Sequence, residues 1–404
     1  MATYYYKKES KRNRSKEKCG KNNIKNNKKE NNINIHNNNI DNYYNYRINM
    51  NNNKDIYYNE KEVINSSYIT NKNKIYYNDN YPHGIINNLD NCSINTGLQI
   101  ISCCNEIKPL LDRYKYEKSP LIRELIEFFN SNSNIKNPIK IINILSQIDE
   151  DFKIKGPKCS QNFIRILIKS INREIISLER NIIEKNPYYS PINNKEKEAY
   201  SKFIQNIFPE SQFLSLFSGI SKTILYGNCK YCHETIEDYM FNYYIDQILY
   251  LDEISFECNF TDVLDLNLGR KNTISVPCPR CSKENNIEEK NTIIKLPHYL
   301  FFTLERNLNG KNKVSIRPDE RIDMRELIDN SLEIDDTQYE LFAINIKLGK
   351  DSNSGHQICQ IKRDGKFYEI NDAFVKEINN PLSSSCCTDD SYGLFYRKIS
   401  RYNY

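Results

Sequence analysis

A thiol attacks a carbonyl only as a thiolate, and one cysteine of this sequence lies where ionisation is favoured. Cys92 opens the segment CSINTGLQII, in which Ile94, Leu98 and Ile101 recur at helical spacing. A helix beginning there aims free backbone N–H groups and the positive end of its dipole at the sulfur. An ordinary buried cysteine is the competing reading from position alone.

A base that could serve this thiol lies far along the chain. His356 sits in SGHQICQIKRDGKFYEIND, where Asp364-Gly365 is a strong two-residue hairpin turn. Pairing outward from that turn sets 363 opposite 366, 358 opposite 371 and 356 opposite 373. Alternation then places His356, Ile358, Asn371 and Ala373 on one face, with Asn371 the diagonal neighbour of His356. An amide there fixes the tautomer and orientation of the imidazole. A histidine so held can deprotonate a thiol and later protonate a leaving amine. Regular pairing points Asp372 to the other face. The competing reading is a polar surface hairpin.

Four further cysteines form two pairs, Cys229-Lys-Tyr-Cys232 and Cys278-Pro-Arg-Cys281, with 45 residues between Cys232 and Cys278. Each CxxC bends back on itself and aims two thiolates at one point, and two such pairs complete a tetrahedral structural zinc site. At this cysteine frequency about 0.4 CxxC pairs would arise by chance, so two are informative. The competing readings are unconnected reduced pairs or a redox motif. With four sulfur ligands the metal has no open position for catalysis, and His233 is a bystander.

The elements that must hold these residues follow from composition and pattern. The chain has 404 residues with 39% hydrophobic content, and the deficit is concentrated near the N-terminus, where residues 31–40 read NNINIHNNNI. Residues 1–80 cannot bury enough apolar surface to offset their ordering entropy, so they are expected to form a disordered basic tail. The net charge of +5 resides there: residues 1–30 carry 11 Lys+Arg and 3 Glu, a net of +8, leaving the rest at −3. Tyr81-Pro82 and Gly84 punctuate the boundary with a folded region over 81–404. Residues 84–220 read as helical, including a helix whose N-cap is Ser119 and first residue Pro120. Residues 221–290 are marked by the cysteine pairs, and residues 291–404 read as strands rich in Ile, Tyr and Phe. Blocks of this kind, without regular βαβ alternation, define an α+β fold. No stretch of 18 apolar residues predicts a membrane span, and no apolar leader is seen at the N-terminus. Thirteen cysteines scattered through a long chain fit reduced thiols and an intracellular setting, in cytoplasm or nucleus.

With these residues in view, a family resemblance becomes legible. GIINNLDNCSINTGLQ, from Gly84 to Gln99, resembles without gaps the cysteine box of ubiquitin-specific proteases, GLxNLGNTCYMNSxLQ. SGHQ is similar to that family's Gly-His-Tyr box, and EINDAFV to its FND-x-x-V segment. SYGLFYRK resembles its AYxLFYxR ending, IIKLPHYLFFTLER its LPxxLxxxLKRF strands, and CSQNFIRIL its QDAxEFL helix. The blocks run in the family's order from residue 84 to about 400.

The resemblance implies a papain-like cysteine protease fold: a helical thumb, an antiparallel palm and zinc-bearing fingers, with ubiquitin across the palm. It implies Cys92 as nucleophile, His356 as general base, Asn371 as third triad member, Asp372 as its acidic neighbour and Asn87 as an oxyanion-hole donor. The function implied is a thiol-dependent deubiquitinase acting at the C-terminal glycine of ubiquitin or of a ubiquitin-like modifier. The sequence departs from the family at Leu89-Asp90-Asn91, where the family has Gly-Asn-Thr, and at Gln357, where it has Tyr. These departures motivate a second reading, a catalytically feeble ubiquitin-binding protein. A third reading, a zinc-ribbon nucleic-acid binder with a basic arm, accounts for the tail and the CxxC pairs but not for Cys92 or the His356–Asn371 hairpin.

Overall fold

The computed structural model describes residues 81–399, leaving out 89, 132, 150–151, 154–158, 180–188, 207–209, 252–253, 255–256, 270, 307–313, 330–331, 333–335, 350–354 and 380–388. The expected tail, residues 1–80, lies outside the described residues.

The first half of the described chain is mainly helical because its apolar residues recur at helical spacing. A short strand β1 (Gly84–Ile85) precedes α1 (Cys92–Ser102), α2 (Ile107–Asp112) and α3 (Pro120–Asn130). Then follow β2 (Ile135–Lys136), α4 (Ile139–Ile148), α5 (Ser160–Leu178), α6 (Asn194–Asn206) and α7 (Gln212–Ser215). The expected start of α3 is present: the Ser119 hydroxyl accepts the Ile122 N–H and Pro120 takes the first helical position. Gly97 lets α1 meet α5 closely, since a Cβ there would stand 2.4 Å from the Phe163 ring.

The remainder is mainly strand. β3 (Gly219–Asn228), β4 (Thr235–Tyr244), β5 (Asp246–Tyr250) and β6 (Cys258–Asn259) lead to α8 (Phe260–Leu264) and a π-helical turn. Next come β7 (Asn272–Pro277), β8 (Glu284–Lys295), β9 (Tyr299–Glu305), β10 (Ile316–Arg317) and β11 (Arg321–Asp323). The chain ends with β12 (Gln338–Leu348), β13 (His356–Arg363), β14 (Lys366–Asn371), β15 (Phe374–Ile378) and β16 (Ser391–Lys398).

Two sheets organise most of these strands, while β6 and β10 pair only with each other. The larger runs β15-β14-β13-β12-β16-β9-β5, with β11 beside β12. The smaller runs β4-β3-β8-β7 and carries the cysteine pairs. The larger sheet is covered on both faces, which explains the continuous apolar run Tyr299–Phe302 in β9. Tyr299 and Phe301 join the cluster under the helices, whereas Leu300, Phe302 and Leu304 join the cluster on the opposite face.

Two expectations need correction. The larger sheet is not wholly antiparallel, because β5 pairs parallel with β9, Asp246 opposite Phe301. The cysteine-marked stretch is also not one unit: its middle, from β5 through α8, returns to the larger sheet, where Leu249, Phe260 and Val263 are fully buried. Burial of that apolar segment outweighs its nearness in sequence to the cysteines. Among the described residues no helix is long and apolar enough to cross a membrane.

Candidate active site

Cys92 is the first residue of α1, so it sits among N–H groups that have no acceptor within the helix. The helix is fixed by Leu98, which is fully buried, and by Thr96, whose hydroxyl donates to the Gln357 carbonyl at 3.2 Å. That last bond lands one residue from His356. Gln357 also closes α5 from outside, its Oε1 accepting the Ser160 N–H at 2.9 Å. The departure from the family's Tyr thus leaves this side chain a structural task.

The β13–β14 hairpin has the expected register, 363 opposite 366 and 359 opposite 370. Its turn residues Asp364 and Gly365 have φ of 50° and 75°, the pattern of a tight hairpin turn. The hairpin brings the His356 Nε2 within 2.6 Å of the Asn371 Oδ1. Cys92 lies near enough to perturb the same imidazole. The imidazole is pushed up to about 9, first by Cys92, against the opposing effect of burial, with further help from Asn371 and Asp372.

Asp372 does not point away. β14 ends at Asn371, and the chain reverses through Asp372 and Ala373 into β15. Asp372 has φ of 51°, a left-handed conformation that regular pairing does not anticipate. Its Oδ2 thereby lies 3.8 Å from the His356 Nε2 and accepts the Asn87 Nδ2 at 2.8 Å. Its Oδ1 accepts the Asn95 Nδ2 at 2.7 Å.

A closed ring of hydrogen bonds results. The Asn95 Oδ1 accepts the Asn91 Nδ2 at 3.0 Å, and the Asn87 Oδ1 accepts the Asn91 backbone N–H at 2.9 Å. Asn95 was not singled out by the sequence reading, although the signal was there: a carboxamide one helical turn beyond Cys92. It is 2% exposed, so its hydrogen-bonding capacity had to be used inside. Below the ring, β1 locks the turn in place, the Ile85 N–H donating to the Asp372 carbonyl at 2.8 Å. Gly84 permits this approach, since a Cβ there would meet the Ala373 carbonyl oxygen at 2.2 Å.

The four paired cysteines gather at the tip of the smaller sheet. The Sγ atoms of Cys229, Cys232, Cys278 and Cys281 all lie within 4.8 Å of one another. Cys229 and Cys281 are 3.5 Å apart, Cys232 and Cys278 3.6 Å. A tetrahedral ion with metal–sulfur bonds of ~2.3 Å implies edges of ~3.8 Å, so the residues fit such a group. The two turns are built alike. The Tyr231 and Arg280 N–H groups donate to the Cys229 and Cys278 sulfurs, each at 3.4 Å. His233 and Ser282, each just after the second cysteine, take φ of 60° and 56°. His233 is therefore a turn residue outside the ligand set. This cluster could hold a metal ion.

A thiol at a helix start, beside an imidazole that an amide orients, is the side-chain set of a cysteine protease. Its placement between a helical layer and an antiparallel hairpin narrows the class. The family description "Ubiquitin carboxyl-terminal hydrolase" matches residues 83–396, and the chain belongs to that family. Among curated relatives, it is 20% identical over 364 residues to probable ubiquitin carboxyl-terminal hydrolase 4 of Schizosaccharomyces pombe, covering 80% of this chain and 60% of that one. It is 32% identical over 94 residues to ubiquitin carboxyl-terminal hydrolase 13 of Danio rerio, covering 23% and 10%. The match therefore spans about 60% of the first relative's length and 10% of the second's. Among solved structures, it resembles the SAGA DUB module of Ubp8, Sgf11, Sus1 and Sgf73 bound to monoubiquitin, at TM-score 0.60 and 17% identity, covering 84% of this chain and 75% of that one. The same module bound to ubiquitin aldehyde matches at TM-score 0.60. These likenesses establish the fold.

Proposed function

We propose that this protein is a thiol-dependent deubiquitinase that hydrolyses the peptide or isopeptide bond at the C-terminal glycine of ubiquitin. The observation that carries the reading is the linked set Cys92–His356–Asn371, with 2.6 Å between the imidazole Nε2 and the amide oxygen.

The chemistry follows from the geometry. Cys92 passes its proton to His356, whose raised pKa favours the ion pair. The thiolate attacks the glycine carbonyl carbon and the carbonyl π electrons move to oxygen. Asn87 has two amide protons and spends one on Asp372, so the second is offered to that oxyanion beside the N–H of Cys92. Collapse of the oxyanion expels the lysine amine, which takes the proton from His356, and leaves a thioester on Cys92. His356, now neutral, removes a proton from water, whose hydroxide attacks the thioester and releases the ubiquitin carboxylate. Asn371 holds the ring throughout. Asp372 fixes Asn87 and supplies the charge that a neutral third member lacks.

Cys229, Cys232, Cys278 and Cys281 hold one structural zinc ion in this reading, and the smaller sheet is the fingers that meet ubiquitin. A free thiolate nucleophile and four thiolate ligands fit a reducing, intracellular compartment.

The test uses ubiquitin bearing a thiol-reactive C-terminal electrophile. Wild type forms a covalent adduct, Cys92→Ala forms none and His356→Ala forms it slowly. Absence of adduct in folded wild-type protein overturns the reading. In that case, retained binding of ubiquitin would identify a non-catalytic module, and no binding would point to another modifier.

A further inference from the structure

Away from Cys92, the C-terminal half of α1 forms one wall of a cavity of about 280 Å³. Gln99 is one of its lining residues, seven positions along the helix from Cys92, so the cavity lies about 10 Å from the thiol. The other walls come from α2, the end of α3, β2 and the tip of the β13–β14 hairpin. Each brings features that converge there. α2 contributes Lys108 and β2 contributes Lys136. The hairpin contributes Arg363, which continues the helix-facing row of Cys359 and Ile361.

Three cations thus border a cavity to which no Asp or Glu contributes. Of the three, Lys136 alone has a side-chain hydrogen bond among the described residues, donating to the Phe129 carbonyl at 3.1 Å, where it caps the negative end of α3. Among the described residues neither Lys108 nor Arg363 forms an ion pair. The Lys136 ammonium is pulled down to about 8, first by burial and then by Arg363 and Lys108. Holding three like charges together costs free energy that an anion between them would return.

We propose that this cavity is a binding site for a small, multiply charged phosphate anion, held by Lys108, Lys136 and Arg363. The volume falls just below the usual range for small-molecule pockets, about 300–1,000 Å³, so the ligand has few heavy atoms. Guanidinium and ammonium donors on three separate elements match the divergent oxygens of a di- or triphosphate better than one carboxylate. The site also touches the catalytic frame. Lys136 is the register partner of Ile85, the residue whose N–H holds the Asp372 turn. An anion there ties β1–β2 to the hairpin and raises the melting temperature.

The probe is inorganic pyrophosphate, titrated calorimetrically into the full chain at low ionic strength, where surface charge is least screened. One saturable site is expected, with thermal stabilisation. Arg363→Gln and Lys108→Gln each weaken it by about tenfold or more, the size of one charge-assisted hydrogen bond. Arg363→Lys and Lys108→Arg retain most of it, and Lys140→Gln, at an exposed position of α4, changes nothing. No binding by folded wild type overturns the proposal. So does binding undiminished in the folded Lys108→Gln/Arg363→Gln protein, which would place the anion elsewhere, for example on the 11 basic residues of positions 1–30. Should the double variant not fold, Lys108→Gln alone, on exposed surface, decides between the same outcomes.

Discussion

Replacing Asp372 by Asn tests whether a carboxylate next to the triad, and not only the amide within it, sustains the imidazolium. The Asp372 Oδ2 is 3.8 Å from the His356 Nε2. At that distance two unit charges attract by about 4 kcal/mol at an effective dielectric of 20 and about 1 kcal/mol in bulk water. The His356 side chain is 38% exposed, so solvent screening puts the contribution near the lower figure. About 1 kcal/mol corresponds to ~0.7 pKa unit. The sign follows directly: an anion stabilises the protonated imidazole, so its removal lowers the His356 pKa from about 9 toward 8.

The readout is the rate of capture of electrophilic ubiquitin as a function of pH. The thiolate–imidazolium pair is lost as His356 deprotonates, so the high-pH limb reports His356. In Asp372→Asn this limb moves to lower pH by about 0.7 unit. A second effect accompanies it. The substituted carboxamide keeps one acceptor oxygen where the carboxylate has two, so either Asn87 or Asn95 loses a hydrogen bond to a charged group, worth about 1.5–3 kcal/mol. That loss lowers the rate at every pH and leaves the limb in place. A rate that falls uniformly, with the limb unmoved, refutes the electrostatic role assigned to Asp372.

Further outcomes follow from other parts of the structure. Asn371→Asp keeps the acceptor oxygen and adds charge, so the high-pH limb rises, whereas Asn371→Ala frees the ring and slows capture about 100-fold or more at every pH. Gly84→Ala drives a Cβ to 2.2 Å from the Ala373 carbonyl oxygen, so β1 shifts, the Asp372 turn loses its anchor and capture slows while circular dichroism stays native. With the proposed zinc held by the four cysteines, a chelator lowers the melting temperature and weakens ubiquitin binding, and leaves reaction of Cys92 with a small alkylating agent largely intact. Lys222→Ala strands the buried carboxylates of Glu196 and Asp329, which it pairs, and costs about 3–5 kcal/mol in urea unfolding.

The sequence was most legible where short-range rules decide the structure. Ser119-Pro120 specifies a helix start through capping and a preset φ. Asp364-Gly365 specifies a turn that only a few residue types accept, and period-two alternation then carries His356 to Asn371. The cysteine pairs declare their meeting point because each pair fixes its own local geometry. What escaped the reading depends on a single dihedral angle or on distant pairing. The reversal at Asp372 comes from one residue at φ 51°, which no periodicity announces. The parallel pairing of β5 with β9 joins residues more than fifty positions apart and is selected by burial.

The divergent cysteine box shows how the site tolerates its own sequence. The stretch Leu89-Asp90-Asn91 stands where the resembled box has Gly-Asn-Thr, and Asp90 takes a left-handed φ of 53°. Asp is among the few non-glycine residues that accept this region, because its short side chain can bond locally. Asn91, in the Thr position, makes no side-chain cap for α1. Its carboxamide instead bonds Asn95, which leaves the Asn95 NH₂ group free to meet Asp372. Asn91 thus braces the Asp372 turn through Asn95 instead of capping α1, a cap being ordinarily worth about 1 kcal/mol. Three asparagines and one aspartate thus close a ring beside His356, whose amide partner Asn371 is itself uncharged. The fixed carboxylate stands where the imidazolium needs it, and every member of the ring that holds it is an Asn, a residue type abundant in this chain.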